Sequence, residues 1–351
     1  MGGSVPKTVV VSAVNIRKGG TLTILRDCLE YLSGLAEAGE WKVVALVHRQ
    51  SLCDYPGIEY IEIPWSAKGW FRRLWCEYVT MHRISKDLAK REGGPVEMWL
   101  SLHDTTPRVV AQHQEVYCQT SFPFLKVIPR DWIMDPKVPL FAHFTRLAYK
   151  INVKRNDCLI VQQEWFRDAM AKMLHLPASK FRVIPPKMPD LSGIKASDIH
   201  YGVPMFFFAS SPDCHKNFET LCRASEMLEK ELGKGRFKTV ISVSGTENRY
   251  ARWLHKKWGG VDSIEFAGYM SREDLFGLYK AADAFVFPSR VETWGLPVSE
   301  YLAVTEGKGR LLLADLPYAR GVASGASGAL FFPATDASAL KRLMYESITV
   351  R

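Results

Sequence analysis

Apolar residues follow two alternating patterns along the chain, short unbroken runs and longer segments with helical spacing. The β-rich run at 8–14 predicts a strand, a Gly-Gly pair follows, and leucines recurring at helical spacing from Leu22 to Leu32 predict a helix that ends near Gly34. The alternation continues, with strands predicted at 42–47, 58–63, 98–102, 115–118, 158–161 and 181–184 and helices at 71–91 and 165–174. This order predicts a parallel sheet covered on both faces.

Three prolines, Pro185, Pro186 and Pro189, interrupt the pattern because proline continues neither a helix nor a central strand. A second series follows, with strands predicted at 205–209, 238–243, 263–266, 284–287 and 310–313 and helices at 217–232 and 272–281. We therefore predict an α/β protein of two doubly wound Rossmann-like domains, residues 1–188 and 189–340, with a tail at 341–351 that could pack back on the first domain. We expect the two sheets to face each other across a cleft and to bind ligands at the carboxyl ends of their strands.

Composition narrows the class of protein. The 351 residues are 47% hydrophobic and 24% charged, which excludes a disordered, collagen-like or low-complexity chain. No apolar run is long enough for a transmembrane helix, and the amino terminus lacks the features of a signal peptide, so we expect a cytoplasmic protein. Seven scattered cysteines, never spaced as C-x-x-C, argue against a disulfide framework and against a zinc site.

The net charge of +9 indicates an anionic partner, but nucleic acid, an acidic membrane surface and a phosphorylated small molecule all fit it. The segment from Trp65 to Arg91, here called the basic Trp-rich segment, sets three tryptophans among lysines and arginines. Such a helix either rests on an anionic membrane or is a core-packed crossover helix with a basic outer face. The sequence contains neither a dinucleotide-binding motif nor a Walker phosphate motif, so these motifs do not identify the partner.

The most informative segment is 287–300, with the sequence Phe-Pro-Ser-Arg-Val-Glu-Thr-Trp-Gly-Leu-Pro-Val-Ser-Glu. Gly295 allows a close turn and Pro297 suits the first turn of a helix, whose free amides and dipole would hold a phosphate. Glu292 precedes this helix and Glu300 lies about one turn into it, so both carboxylates can accept hydrogen bonds from sugar hydroxyls in one small volume. The alternative is that Glu300 favours the helix dipole and Glu292 is a solvated loop charge.

This run resembles the PS-x-x-E-x-[FW]-G-[LI]-P-x-x-E signature of the family 4 retaining glycosyltransferases, within glycosyl transferases group 1. Those are two-domain enzymes of the GT-B architecture that use nucleotide sugars without a metal. Further segments resemble the family's motifs in the same order along nearly the whole chain: Gly19-Gly20 the glycine-rich loop, His215-Lys216-Asn217 the [HR]-K-[GN] motif, and Gly268-Tyr269 with 275–283 the G-x-[VL]…L-x-x-L-Y-x-x-A-D motif.

The resemblance implies roles for individual residues. Glu300 would bind the ribose hydroxyls of the donor and Glu292 hydroxyls of the transferred sugar. Lys216 and the amides at Gly295 and Leu296 would bind the diphosphate, although Lys216 could also be a surface lysine at a helix start. The predicted donor-binding set is Gly19, Gly20, Ser211, Lys216, Tyr269, Glu292, Trp294, Gly295, Leu296 and Glu300. The predicted catalytic set is Glu292, Lys216 and Gln119, with no metal ligand.

Two departures from the family pattern affect the predicted chemistry. The family often has an Arg five or six residues before the lysine, where this chain has Ser210-Ser211-Pro212, so one diphosphate contact is missing or supplied elsewhere. The family also commonly has a His where this chain has Gln119. Glutamine can donate a hydrogen bond but cannot take a proton, which favours a front-face substitution in which the leaving phosphate deprotonates the acceptor.

Three further residues are predicted to contact the acceptor. His103 and Asp104 end a predicted strand, and Phe122 belongs to a loop rich in aromatic residues. A structural histidine, and aromatic rings that pack beneath the loop, are the alternatives.

We predict a metal-independent retaining hexosyltransferase that needs no cofactor. It would move a hexose-type sugar from a nucleoside diphosphate sugar to a glycan or lipid-linked acceptor in cell-surface polysaccharide synthesis. Its expected location is cytoplasmic, peripheral on the inner face of the membrane if the basic Trp-rich segment touches lipid. A non-hydrolysing nucleotide-sugar epimerase shares the architecture and is the alternative. A nucleic-acid-binding protein is favoured by charge alone and lacks recognisable motifs, so nucleic acid is not an expected partner.

Overall fold

The computed structural model describes residues 6–188, 191, 194 and 201–349. Seven parallel strands form the first sheet, namely β1 (Lys7–Ala13), β2 (Trp41–Val47), β3 (Ile58–Glu62), β4 (Val96–Ser101), β5 (Ala111–Tyr117), β6 (Cys158–Val161) and β7 (Phe181–Val183). Their order in the sheet is β3-β2-β1-β4-β5-β6-β7. The order reverses beside β1, which is the mark of a doubly wound sheet.

Six parallel strands form the second sheet, namely β8 (Met205–Phe208), β9 (Lys238–Ile241), β10 (Ile264–Phe266), β11 (Ala284–Phe287), β12 (Arg310–Ala314) and β13 (Ala329–Phe332). Their order is β10-β9-β8-β11-β12-β13. The two predicted doubly wound Rossmann-like sheets are therefore confirmed. Their facing each other across a cleft stays a prediction.

Helices connect these strands. In the first part of the chain they are α1 (Gly20–Glu37), α2 (Trp70–Trp75), α3 (Met81–Glu92), α4 (Pro129–Met134), α5 (Lys137–Ala148) and α6 (Glu164–Leu174). In the second part they are α7 (Phe218–Leu232), α8 (Arg249–Trp258), α9 (Arg272–Ala281), α10 (Leu296–Val304), α11 (Pro317–Val322) and α12 (Ala337–Thr349). The predicted helix at 71–91 is divided, because a π-helical turn at Cys76–Thr80 joins α2 to α3.

The cores lie on both faces of each sheet, as continuous apolar strands require. In the first sheet, Val10, Val44 and Trp99 belong to the buried cluster on one face. The next residues along two of these strands, Val11 and Ala45, belong to the cluster on the other face. Since successive side chains of a strand point to opposite faces, one apolar run supplies both clusters.

Contacts divide the chain into two compact units, residues 1–120 with 144–186 and residues 121–143 with 187–351. These bounds differ from the predicted domains, since 121–143 joins the second unit. The predicted boundary at 340 falls inside α12, which packs against α7 of the second unit instead of forming a separate tail. Pro189 and Asp190 of the predicted linker, and residues 350–351, lie outside the described residues. Within the described part of the chain, no helix is both long and apolar enough to cross a bilayer.

Candidate functional site

The turn between β11 and α10 is held in one shape by a glycine and a buried tyrosine. Gly295 precedes the first residue of α10 with φ +96°, a backbone conformation that L side chains rarely adopt. The Tyr318 ring lies where a β-carbon on Gly295 would contact it at 3.4 Å, and the Tyr318 hydroxyl donates to the Ser289 carbonyl oxygen at 2.7 Å. No side-chain hydrogen bond caps α10 among the described residues. Pro297 has no amide hydrogen and the Val298 amide donates to the Gly295 carbonyl oxygen at 2.9 Å, so the amides predicted to bind an anionic ligand are those of Gly295 and Leu296.

A lysine and a glutamate meet beside this turn. Lys216 Nζ lies 2.6 Å from Glu292 Oε1, which also accepts a 2.6 Å hydrogen bond from the Ser289 hydroxyl. Both charged side chains are largely buried. The structure thus brings together two of the residues that the sequence assigns to the site.

Asn217 links the turn that carries Lys216 to the loop that carries Glu292 by hydrogen bonds. Lys216 ends a one-turn 3-10 helix, Cys214–Lys216, and Asn217 follows it in the left-handed region with φ +60°. The Asn217 side-chain amide donates to the Pro288 carbonyl oxygen at 2.9 Å and to the Ala334 carbonyl oxygen at 2.6 Å. Asparagine suits this position for two reasons. Its side-chain amide makes both bonds, and its backbone tolerates the left-handed conformation.

Glu300 offers a carboxylate that protein groups leave largely available. Burial raises the pKa of Glu300, while the charge of Arg272 opposes that shift. Within the described part of the chain, its carboxylate has no hydrogen-bond partner. The neighbouring Trp294 indole donates instead to the Ser299 hydroxyl at 2.7 Å. A half-buried carboxylate of this kind suits a ligand that brings hydroxyl donors.

The remaining predicted donor residues lie in three other places. The Ser211 hydroxyl donates to Asp213 Oδ2 at 2.6 Å, and Tyr269 is 95% exposed. Gly19, with φ +70°, and Gly20 begin α1 in the first unit. In the described ranges no group of three His, Cys, Asp or Glu side chains is placed to hold a metal ion.

Gln119, of the first unit, is held by its own neighbours. Its side-chain amide donates to the Leu102 carbonyl oxygen at 2.7 Å, and its backbone amide donates to Asp104 Oδ1 at 2.5 Å. The Gln119 Oε1 atom is buried without a hydrogen-bond partner among residues that the structure describes. One of the two side-chain N–H groups is therefore used internally, and the Oε1 atom keeps its capacity to accept a hydrogen bond.

The structure gives His103 and Asp104 hydrogen-bond partners within the protein, and their contact with an acceptor stays a prediction. His103 is 1% exposed, its ring nitrogens lie 3.0 Å from the Ser12 and Thr105 hydroxyls, and burial lowers its pKa. Asp104 accepts hydrogen bonds from the Thr120 amide at 2.9 Å and from the Tyr149 hydroxyl at 2.7 Å. Strand ends are common places for ligand contacts, but here the polar groups satisfy one another.

A buried ion pair behind the site was not predicted. The Arg290 guanidinium is paired with the Asp131 carboxylate, and both side chains are almost fully buried. The Arg290 backbone amide donates to the His215 carbonyl oxygen at 2.8 Å, and its guanidinium lies 3.3 Å from the Cys214 carbonyl oxygen. Arg290 therefore braces the loop that carries the lysine.

The predicted acceptor residue Phe122 packs beneath this loop. Its ring meets the His215 ring edge-on at 4.9 Å and the Phe141 ring at 5.1 Å. Burial, with the charges of Lys216 and Arg290, holds the pKa of His215 well below its ordinary value. For the Arg290–Asp131 ion pair, the sequence offered one signal, namely the position of Arg290 two residues before Glu292 in the segment that resembles the family signature.

Comparison with known proteins points to one family. Residues 194–348 match the family model described as glycosyl transferases group 1. A serotype-specific mannosyltransferase, WbdA of Escherichia coli, is 29% identical over 157 residues, which cover 42% of this chain and 18% of that relative. The chain thus matches less than a fifth of the length of this relative.

Two solved structures share the fold over nearly the whole chain. Sucrose-phosphate synthase from Thermosynechococcus elongatus superposes with a TM-score of 0.68 at 15% identity. The match covers 97% of this chain and 89% of the synthase chain. WaaG, a glycosyltransferase involved in lipopolysaccharide biosynthesis, has a TM-score of 0.63 at 14% identity and covers 97% of this chain and 90% of its own. At such identities the likeness concerns the fold.

Proposed function

We propose that the protein, whose residues 194–348 belong to glycosyl transferases group 1, is a retaining, metal-independent hexosyltransferase of family 4. It would take the sugar from a nucleoside diphosphate donor and transfer it to a glycan or lipid-linked acceptor. The observation that carries this proposal is the Lys216–Glu292 pair, 2.6 Å apart, beside the uncapped start of α10. A single small volume there combines a cation, backbone donors and a carboxylate.

The proposed chemistry begins with an exchange of partners. A donor diphosphate would take Lys216 from Glu292, because two negatively charged oxygens compete for one ammonium. Glu292 would then be free to accept hydrogen bonds from hydroxyls of the transferred sugar, and Glu300 from those of the ribose. The resting ion pair therefore keeps both charges compensated until the donor arrives.

Departure of the nucleoside diphosphate builds negative charge on its phosphate oxygens. Lys216 and the amides near Leu296 would stabilise that charge, and each such donor is worth on the order of 10² to 10³ in rate. Gln119 cannot accept a proton, so the leaving phosphate would deprotonate the acceptor on the same face of the sugar. This route gives retention and requires neither a metal nor a cofactor.

The proposed biological setting is cell-surface polysaccharide synthesis at the inner face of the membrane. The net charge of +9 and the basic Trp-rich segment support an anionic membrane as a partner. The names of WbdA and WaaG, which act in mannosyl transfer and in lipopolysaccharide biosynthesis, support a glycan or lipid-linked acceptor.

A nucleotide screen followed by turnover assays tests the proposal. Uridine, guanosine, adenosine and thymidine diphosphates would be compared by thermal shift, since a nucleotide that binds the native state raises Tm. With the nucleotide sugar so chosen, Lys216→Ala is expected to lower transfer about 10²-fold to 10³-fold. Lys230→Ala, which removes an exposed lysine of α7, should leave transfer unchanged.

Near-normal transfer by Lys216→Ala would contradict the site assignment. Conversion of the donor to its epimer without any acceptor would instead favour the epimerase. Salt-sensitive RNA binding with no thermal response to any nucleotide would favour a nucleic-acid-binding protein.

A further inference from the structure

An apolar stripe lies exposed at the end of α5 and on the turn that follows it. Phe144, Leu147 and Ile151 recur at helical spacing and are 53%, 48% and 43% exposed. Side chains of this type are usually buried. The other face of the same segment is packed, since Ala148 and Tyr149 are buried. The exposed stripe is therefore a second apolar face, beyond the one that the core uses.

Positive charge surrounds this stripe. Residues 144–156 contain no aspartate or glutamate, while Arg146, Lys150, Lys154 and Arg155 are all exposed. A helix end and turn with one apolar stripe and only basic charged residues around it is typical of elements that lie in the interface of an anionic membrane. The charge pattern thus favours a partner with negative charge.

The start of the basic Trp-rich segment has the same character. Phe71 is 90% exposed and Trp75 is 57% exposed, with Lys68 and Arg72 exposed beside them. Farther along, α3 packs into the core through residues such as Met81. The core-packed alternative predicted for the segment thus describes α3, and the membrane alternative stays a prediction for α2. Helix α3 is packed on the core, and α2 projects its aromatic side chains into solvent.

Both exposed sets are anchored at one dipeptide of the first unit. The Arg73 guanidinium of α2 donates to the His103 carbonyl oxygen at 2.8 Å. The next residue, Asp104, accepts from the Tyr149 hydroxyl at the end of α5 at 2.7 Å. Burial lowers the pKa of Arg73, but the Glu77 carboxylate beside it outweighs this effect and raises the pKa. The two apolar sets therefore lie in one region of this unit.

We propose that these two sets form a lipid-docking surface that rests on an anionic bilayer. Its apolar members are Trp70, Phe71, Trp75, Phe144, Leu147 and Ile151. The apolar side chains would enter the headgroup region while the surrounding lysines and arginines meet lipid phosphates. A second copy of the chain is disfavoured as the occupant, because it would set one basic surface against another.

This inference deepens the proposed function, because it rests on the lipid-linked acceptor to explain why docking is useful. Docking itself needs neither donor nor acceptor. It can therefore be measured without turnover, and the two proposals can fail separately.

Vesicle flotation with the full chain tests the proposal. The probes are vesicles of phosphatidylcholine alone and vesicles with about 30% phosphatidylglycerol. We expect the wild type to bind the anionic vesicles about ten-fold more tightly than the neutral ones, and less tightly as salt rises. The combined variant Phe144→Gln, Leu147→Gln and Ile151→Gln should lose about ten-fold in affinity for the anionic vesicles.

Two controls distinguish a loss of docking from a loss of folding and from non-specific hydrophobic binding to vesicles. Thermal melts should show the triple variant folded, since the changed side chains are about half exposed. Tyr31→Gln, which removes an exposed aromatic ring from α1 of the same unit, should bind vesicles as the wild type does. A second variant, Arg146→Glu with Lys150→Glu, should weaken binding without changing any apolar side chain.

Equal vesicle binding by the wild type and a folded triple variant would overturn the proposal. So would a concentration-dependent dimer that this variant abolishes, because the stripe would then contact a second copy. Docking without sugar transfer supports the surface and contradicts the proposed enzyme. Transfer to a water-soluble acceptor without vesicle binding does the reverse.

Discussion

The charged residues at the candidate site differ in whether the protein itself supplies their hydrogen-bond partners. Lys216 and Glu292 satisfy each other at 2.6 Å, whereas no hydrogen bond reaches the Glu300 carboxylate within the described ranges. Burial raises the pKa of Glu300, so its ionised form is less stable in the native chain than in the unfolded chain. Binding groups that cost stability are a common feature of active sites.

Glu300→Gln should therefore raise stability while it weakens donor binding. Because the folded-state pKa is raised, the penalty of ionisation is absent below the ordinary value of 4.5 and fully present above the raised pKa. We expect a higher Tm than that of the wild type near neutral pH, and a difference that vanishes in acid. Thermal melts across this pH range measure the effect, and the thermal shift induced by nucleotide should fall.

The matched control is Glu306→Gln, since that carboxylate is exposed. It should change Tm little at any pH. A Glu300→Gln variant that melts below the wild type near neutral pH would show that the carboxylate is stabilising and not penalised.

Gly295→Ala should destabilise the turn at the start of α10. A β-carbon at φ +96° is strained, and forcing an L residue into the left-handed region costs about 1–2 kcal/mol. Urea unfolding should report a loss of that size, with weaker donor binding as the amides shift. Gly260→Ala is the control, because its β-carbon would meet open space. Equal losses in both variants would remove the special role of Gly295.

At the scale of elements, the segment that carries α4 and the loop that carries the lysine are joined by one buried charge pair. Asp131 is the third residue of α4, and Arg290 reaches it from the loop after β11. Arg290 also supports the loop at 214–217 through two carbonyl oxygens. The lysine is thus positioned by a residue that does not itself face the donor.

Asp131→Asn should be strongly destabilising. Removal of one partner leaves a buried guanidinium without its compensating charge, at a cost of about 3–5 kcal/mol. Asp315→Asn, which breaks the exposed Arg320–Asp315 pair, should cost less than about 1 kcal/mol. Urea unfolding of both variants makes the comparison. If both variants lost less than about 1 kcal/mol in the free energy of unfolding, water would be solvating the Arg290 guanidinium in place of Asp131.

The elements best predicted from sequence are those bounded by strong local signals. The bounds of β11 and α9 match their predicted ranges, because an aspartate and a proline flank the strand and a serine caps the helix. Helix α5 was not predicted, since Pro139 lies in its first turn and apolar residues on two of its faces obscure the helical period. Strand β13 was not predicted either. The Asp131–Arg290 pair joins residues 159 positions apart, and no local pattern reveals such a contact.

At the scale of the whole molecule, the predicted donor groups are concentrated in the second unit. Lys216, Glu292, Gly295 and Glu300 all belong to it, and the predicted glycine-rich loop belongs to the first unit. A nucleoside diphosphate without its sugar should therefore act mainly on the second unit.

Hydrogen exchange measured by mass spectrometry tests this expectation. On addition of the nucleotide selected by thermal shift, exchange should slow in 214–220 and 288–304, where the amides would become bonded or less mobile. Exchange in β2, a buried strand of the first sheet, should not change. Slower exchange confined to the first unit would place the nucleotide elsewhere.

The assignment of 121–143 to the second unit matters for anyone who recombines this protein with a relative. A chimaera joined at a single point near residue 187 would inherit α4 from one parent and the loop after β11 from the other. Asp131 would then have to find its arginine in a foreign sequence. Exchange of the donor half should succeed only when this short internal stretch travels with it, through two additional junctions.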